Sequence, residues 1–158
     1  MKELEKQIAY KMLSVSELEE SERKLYDAAL VASDKAYAPY SEFQVGAAVL
    51  LENGIIVTGS NQENAAYPSG LCAERVALFS AGALYPNVPV LALAIIAQSA
   101  GEIKEMISPC GACCQVMVES EMRSDNRMRI LLCGKEEILI IDSVSSLLPF
   151  SFSANQLD

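Results

Sequence analysis

Apolar residues recur at helical spacing at Leu18, Leu25, Ala29, Ala32 and Ala36. Ser16 and Glu19 stand three apart just before them and make a capping box. The pattern predicts an amphipathic helix over 17–37, stopped by Ala38-Pro39-Tyr40-Ser41. A β run follows over 44–51, then Glu52-Asn53-Gly54. Asn-Gly between two hydrophobic stretches is a strong hairpin signal, so 44–51 and 55–60 pair as antiparallel strands. Residues 61–70 form a polar loop. A second helix begins near Leu71, runs to about Leu84 and ends before Pro86 and Pro89. Residues 90–98 are almost wholly apolar, the pattern of a central strand covered on both faces.

A loop over 99–108 leads to Pro109, placed at or just before the first position of a third helix over 110–121. Two more strands, 128–133 and 137–141, are separated only by Gly134-Lys135-Glu136. That link is too short for a parallel crossover, so the pair is antiparallel if adjacent. Residues 143–148 read as a short final helix and 150–158 as a tail. Residues 1–15 have a mixed pattern and read as a loosely held arm or edge strand. The order α-β-β-α-β-α-β-β-α predicts an α/β fold, a three-layer α-β-α sandwich around a mixed five-stranded sheet. It places a single domain over 16–158.

Composition narrows the chemistry. The chain has 158 residues, 51% of them hydrophobic, which suits one domain with a full core. Histidine is absent. That excludes Ser-His-Asp triads, Cys-His dyads and HExxH zinc sites, and leaves acid–base work to a carboxylate, thiol, amine or metal-bound water. The net charge of −9 disfavours nucleic acid and anionic membrane surfaces as partners. The opening MKELEKQIAY lacks the apolar core of a secretory leader, and five cysteines are an odd number. Together these predict reduced thiols in the cytoplasm.

Three of the cysteines stand at the starts of two predicted helices, in Cys72-Ala73-Glu74-Arg75 and Pro109-Cys110-Gly111-Ala112-Cys113. Cys-x-x-Cys puts two thiols on one face of a helix's first turn, where free N–H groups stabilise thiolates. Three protein ligands leave tetrahedral zinc an open position for water, and four would close it. Glu74, two residues after Cys72, is the obvious proton carrier in a chain without imidazole. A Cys or His followed by Glu, then Pro-Cys-x-x-Cys, is the signature of zinc deaminases.

With Ala38-Pro39-Tyr40-Ser41, Phe43-Gln44-Val45-Gly46-Ala47-Ala48, Asn61-Gln62-Glu63-Asn64-Ala65-Ala66-Tyr67 and Leu147-Leu148-Pro149 before Phe152, the chain resembles the cytidine deaminase family. The likeness is to its short, all-cysteine, homotetrameric branch. The resemblance implies one Zn²⁺ per subunit on Cys72, Cys110 and Cys113, with Arg75 balancing the thiolate charge. It implies hydrolytic deamination of cytidine and 2′-deoxycytidine, by attack of zinc-bound hydroxide on C4 with Glu74 as proton shuttle. Asn61 and Glu63 would bind the ribose hydroxyls, and Phe43 would pack on the pyrimidine. Ala65 and Tyr67 would reach a neighbouring subunit's site, and Phe152 would cover a neighbouring ring.

One position departs from the family pattern: Cys114 stands where an arginine commonly follows the last ligand, which leaves Arg75 alone among the motifs to moderate the sulfurs. Two other readings compete. One is a deaminase of another substrate, such as a blasticidin-type antibiotic or a nucleic acid. The other is a structural zinc module, with Cys114 or Cys133 closing the site as a fourth ligand.

Overall fold

The computed structural model describes residues 1–157. Its strands are β1 (Lys11–Ser14), β2 (Gln44–Leu51), β3 (Ile56–Ser60), β4 (Val90–Ser99), β5 (Glu102–Ile103), β6 (Arg129–Cys133) and β7 (Glu137–Ile141). Its helices are α1 (Glu20–Ser33), α2 (Ala73–Leu84) and α3 (Gly111–Ser124). The strands form one sheet in the order β1-β7-β6-β4-β2-β3, with β5 paired to β4. Pairing is antiparallel throughout except between β4 and β6.

The three-layer α/β architecture agrees with the sequence reading, and all five expected strands are present. The sheet has seven strands rather than five. β1 comes from the N-terminal arm and lies on the edge of β7, with Lys11 opposite Ile140 and Ser14 opposite Glu137. β5 is a two-residue strand where the chain doubles back after β4. Leu13, Val15 and Leu18 pack against the core from the arm side. The β6–β7 pair is antiparallel, as its short link requires.

Helix α1 is shorter than the expected 17–37. Residues Val15–Glu17 form a 3-10 turn and Leu18 is extended, so Glu19 is the N-cap. The Ser16–Glu19 pair is not the capping box. Instead the Glu17 carboxylate accepts from the Ser14 N–H at 2.8 Å, and that of Glu22 accepts from the Glu19 N–H at 3.2 Å. At the other end a bridge to the segment after β3 draws the chain away, with Tyr37 N–H on the Asn61 carbonyl at 3.0 Å and Glu63 N–H on the Tyr37 carbonyl at 2.8 Å. The expected helix at 143–148 is a single 3-10 turn over Val144–Ser146.

Helix α1 covers one face of the sheet, with Leu25, Tyr26 and Ala29 on Ala48, Ala94, Ile96 and Leu131. Helices α2 and α3 cover the other, where Ala73, Ala77 and Met117 meet Ala47, Val49, Leu93 and Ile95. Each fully buried Leu or Ile contributes roughly 1.5–3 kcal/mol. The alanines and two glycines set how closely the layers approach. A Cβ on Gly46 would lie 2.0 Å from the Ala29 carbonyl oxygen, and one on Gly59 2.4 Å from the Ala77 nitrogen. Both clashes are with backbone, so only a shift of the helix relieves them. Gly46→Ala is therefore expected to cost about 2–4 kcal/mol, read as a lower denaturation midpoint at unchanged slope.

The topology also locates a site. β3 and β4 both run antiparallel to β2, and β6 runs parallel to β4, so β3, β4 and β6 all point the same way. α2 follows β3 and α3 follows β4, so the two helices begin at the same end of the sheet. Ligands in α/β proteins bind at such carboxyl ends of parallel strands.

Candidate active site

Cys72 is the N-cap of α2 and Cys110 is the N-cap of α3. Both are extended, with φ near −70° and ψ above 150°, and neither caps its helix with a side-chain hydrogen bond. Their sulfurs stay free and lie beside the unpaired N–H groups of the first turn. Cys113 lies one turn into α3 and is fully buried. The Cys72 and Cys110 sulfurs are 4.0 Å apart, and those of Cys110 and Cys113 are 3.5 Å apart. All three lie within 4.8 Å of one another, close enough to hold one metal ion.

The donor set fits zinc. Three soft sulfurs from rigid helix starts match its preference and leave a fourth tetrahedral position open. Hydrogen bonding from the Cys113 thiol, then from Arg75 and Cys110, lowers the Cys72 thiol to about 5, against an opposing effect of burial. The Cys113 thiol is pushed up, first by its bond to Cys72 and then by burial and the nearby Glu74. A metal ion would displace its proton. The Arg75 guanidinium donates to the Cys72 sulfur at 3.6 Å.

Glu74, in the first turn of α2, is 4% exposed. Burial raises its pKa; the Cys72 charge raises it further, against its own backbone N–H and the Cys113 thiol. It is a carboxyl group kept ready to hold a proton beside the sulfurs. Cys114 is buried and its thiol faces the Pro109 carbonyl at 3.8 Å, outside the three-sulfur group. Cys133 is buried in β6. Neither is a fourth ligand in this arrangement.

A cleft of about 510 Å³ opens at Cys72. Tyr40, Ser41, Asn61, Glu63, Tyr67, Cys72 and Arg75 are among its walls. Asn61 and Glu63 follow β3, and both are engaged with the 40–45 segment. The Asn61 amide donates to the Phe43 carbonyl at 2.9 Å and accepts from the Val45 N–H at 2.8 Å. The Glu63 carboxylate accepts from the N–H groups of Tyr40 and Ser41 at 2.9 and 3.3 Å, and from the Ser41 hydroxyl. These bonds, the hydroxyl first, hold it below the usual carboxylate range. Phe43 is half-buried and tied to this network through its backbone.

Tyr67 is 76% exposed and meets Tyr40 edge-on, with ring centroids 6.2 Å apart. Ala65 is exposed in the loop before it. Phe152 is exposed in the tail, where the Gln115 side chain holds its backbone carbonyl at 2.7 Å. Phe43, Ala65, Glu74, Cys110, Cys113 and Phe152 are not among the residues lining the cleft. A larger cavity of about 600 Å³ lies between α2 and α3, lined by Phe79, Tyr85, Gln115 and Arg123 among others, and holds none of the expected site residues. Sequence reading assigned no role to Ser41 or Gln115. Ser41 ends the Ala38-Pro39-Tyr40-Ser41 segment; the contact of Gln115 with the tail has no local signal.

A three-layer sheet with three thiols and a buried carboxyl group at two adjacent helix starts defines a zinc hydrolase with an open coordination position. Comparison with known proteins agrees. The model of the cytidine and deoxycytidylate deaminase zinc-binding region matches residues 19–125. A cytidine deaminase of Halalkalibacterium halodurans is 41% identical over 132 residues, 82% of this chain and 92% of that protein. One from Sporosarcina psychrophila is 41% identical over 127 residues, 80% and 87% of the two chains. The crystal structure of cytidine deaminase from Burkholderia pseudomallei superposes with a TM-score of 0.72 at 39% identity, covering 82% of this chain and 98% of that one. The chain belongs to the cytidine and deoxycytidylate deaminase family. No helix among the described residues is long and apolar enough to cross a membrane.

Proposed function

We propose that this chain hydrolyses cytidine and 2′-deoxycytidine to uridine and 2′-deoxyuridine, with release of ammonia. The observation that carries this reading is the buried Glu74 beside three clustered thiols, one of which, Cys72, lines a nucleoside-sized cleft. The substrate follows the names of the similar proteins. Cys72, Cys110 and Cys113 would hold the zinc, and Arg75 would offset their charge. Zinc on three thiolates supplies Lewis acidity that brings the pKa of water toward neutrality.

The chain's own groups do the rest. Glu74 takes one proton from the attacking water and passes it to N3 of the ring; it then takes the second proton from the new oxygen on C4 and delivers it to the amine, which leaves as ammonia. Its raised pKa suits a group that must hold a proton between steps. Phe43 packs on the pyrimidine, and Asn61 and Glu63 bind the ribose hydroxyls. The cleft has Arg75 as its one cationic wall residue, already turned to Cys72, so it suits a neutral nucleoside rather than a phosphorylated one.

The domain is assigned to 16–158 with 1–15 as an arm. The assembly is a homotetramer in which Ala65 and Tyr67 reach a neighbouring site and Phe152 covers a neighbouring ring. The exposure of Tyr67, Phe79 and Phe152 supports it. Five free thiols support a cytoplasmic location.

The test is ammonia release from cytidine, deoxycytidine, adenosine, guanine and blasticidin S, with and without a zinc chelator. Turnover is expected with the two cytidines alone, and the chelator should remove it. Turnover of blasticidin S in preference to cytidine would replace this substrate assignment. No turnover of any of the five by the zinc-loaded chain would overturn the enzymatic reading.

A further inference from the structure

Ser41 joins two groups that the proposed function puts on different parts of the substrate. Its hydroxyl donates to one Glu63 carboxylate oxygen and accepts the Phe43 N–H at 3.1 Å. The Tyr40 and Ser41 N–H groups hold the other Glu63 oxygen. The Phe43 carbonyl then accepts from Asn61, whose own oxygen takes the Val45 N–H. The result is a continuous chain of hydrogen bonds, Glu63–Ser41–Phe43–Asn61. The residue between Ser41 and Phe43, Glu42, has φ +55°, a left-handed conformation that side chains other than glycine adopt at a cost. A turn that keeps such strain is held by its surroundings.

We propose that Ser41 is a positioning residue for nucleoside binding, which aims the Glu63 carboxylate at a sugar hydroxyl and fixes the base-facing Phe43 in register with it. This rests on the nucleoside reading above. Without these bonds Glu63 is a half-buried side chain with several rotatable bonds. Three of its four acceptor sites are taken, which leaves one, on the oxygen that the Ser41 hydroxyl holds, for a ligand in the cleft that Glu63 lines. Since 2′-deoxycytidine belongs to the same reading, the sugar hydroxyl at issue is the 3′ one, common to both substrates. Ser41 itself touches no reacting atom, so its removal should act on binding more than on turnover.

Ser41→Ala is expected to raise the KM for cytidine roughly tenfold, with a smaller change in kcat. It should weaken uridine binding, measured by calorimetry, by a similar factor. The discriminating readout is 3′-deoxycytidine. Its KM penalty relative to cytidine should shrink in Ser41→Ala, because Glu63 is no longer aimed at the missing hydroxyl. Ser41→Thr keeps a hydroxyl and should restore both values. An active wild type whose KM and 3′-deoxy penalty are the same in Ser41→Ala would overturn the inference alone. So would a Ser41→Ala chain that unfolds, or one that threonine fails to rescue, since the serine would then be merely structural. A wild type that neither deaminates cytidine nor binds uridine would overturn the nucleoside reading and this inference with it.

Discussion

Glu74→Gln is expected to lower kcat by about 10³- to 10⁴-fold while zinc stays bound. The amide keeps the size of the carboxyl group and leaves the three sulfurs untouched, so metal content at equal protein concentration should match the wild type. The same substitution should make the metal-free chain more stable at neutral pH. Burial raises the pKa of Glu74, so the folded state favours its protonated form. That contribution is present at pH below the ordinary carboxylate range and is lost as pH rises through the raised value. Glutamine is neutral throughout. The difference in denaturation midpoint between variant and wild type should therefore widen in favour of the variant from pH 4 to pH 7. A residue whose removal stops turnover and stabilises the fold is what a proton carrier held in an apolar setting should be. Near wild-type turnover in Glu74→Gln would remove Glu74 from the mechanism.

Loss of the metal should be the other large effect. Cys113→Ala is expected to abolish zinc binding and activity together, because it removes the buried member of the three-thiol cluster. Zinc at 100 times its Kd contributes about 2.7 kcal/mol, roughly 5–10 °C in melting temperature for a chain of this size. Chelation of the wild type should give a drop of that order. Cys114→Ser should keep its zinc, since that thiol faces the Pro109 carbonyl. Proton competition sets the pH dependence. Cys113 holds its proton through the neutral range, so each metal bound displaces at least that one. Zinc affinity should fall by about tenfold or more per pH unit as pH is lowered. The slope should steepen below about 5, where Cys72 is protonated as well. Zinc content measured against pH in a competing chelator reads this directly. Retention of zinc in Cys113→Ala would show a different ligand set.

The core and the three-thiol cluster were legible in the sequence because their signals are local. Asn53-Gly54 marked the hairpin, the unbroken apolar run at 90–98 marked the central strand, and Cys-x-x-Cys lies within one helical turn. The start of α1 was misread because Ser14/Glu17, Ser16/Glu19 and Glu19/Glu22 overlap, and local spacing does not choose among them. Its end was misread because the Tyr37 bridge to the segment after β3 is tertiary. β5, at two residues, is too short to show a period. In the site, Asn61 and Glu63 were legible as residues but not as partners of the 40–45 turn. Those bonds exist only once β3 lies beside β2.

The edge pairing of β1 with β7 bears on the order in which the molecule assembles. Of the seven described strands β1 leaves the ribosome first, and its partner β7 leaves last. The early strand must wait, unpaired, while the β2–β3 hairpin and the two crossover units form around β4. Its docking is then expected to be a late step, taken after most loop-closure entropy has been spent. Interactions made late slow unfolding rather than speed folding. The N-terminal strand is thus expected to act on how long the finished fold survives rather than on how quickly it is reached.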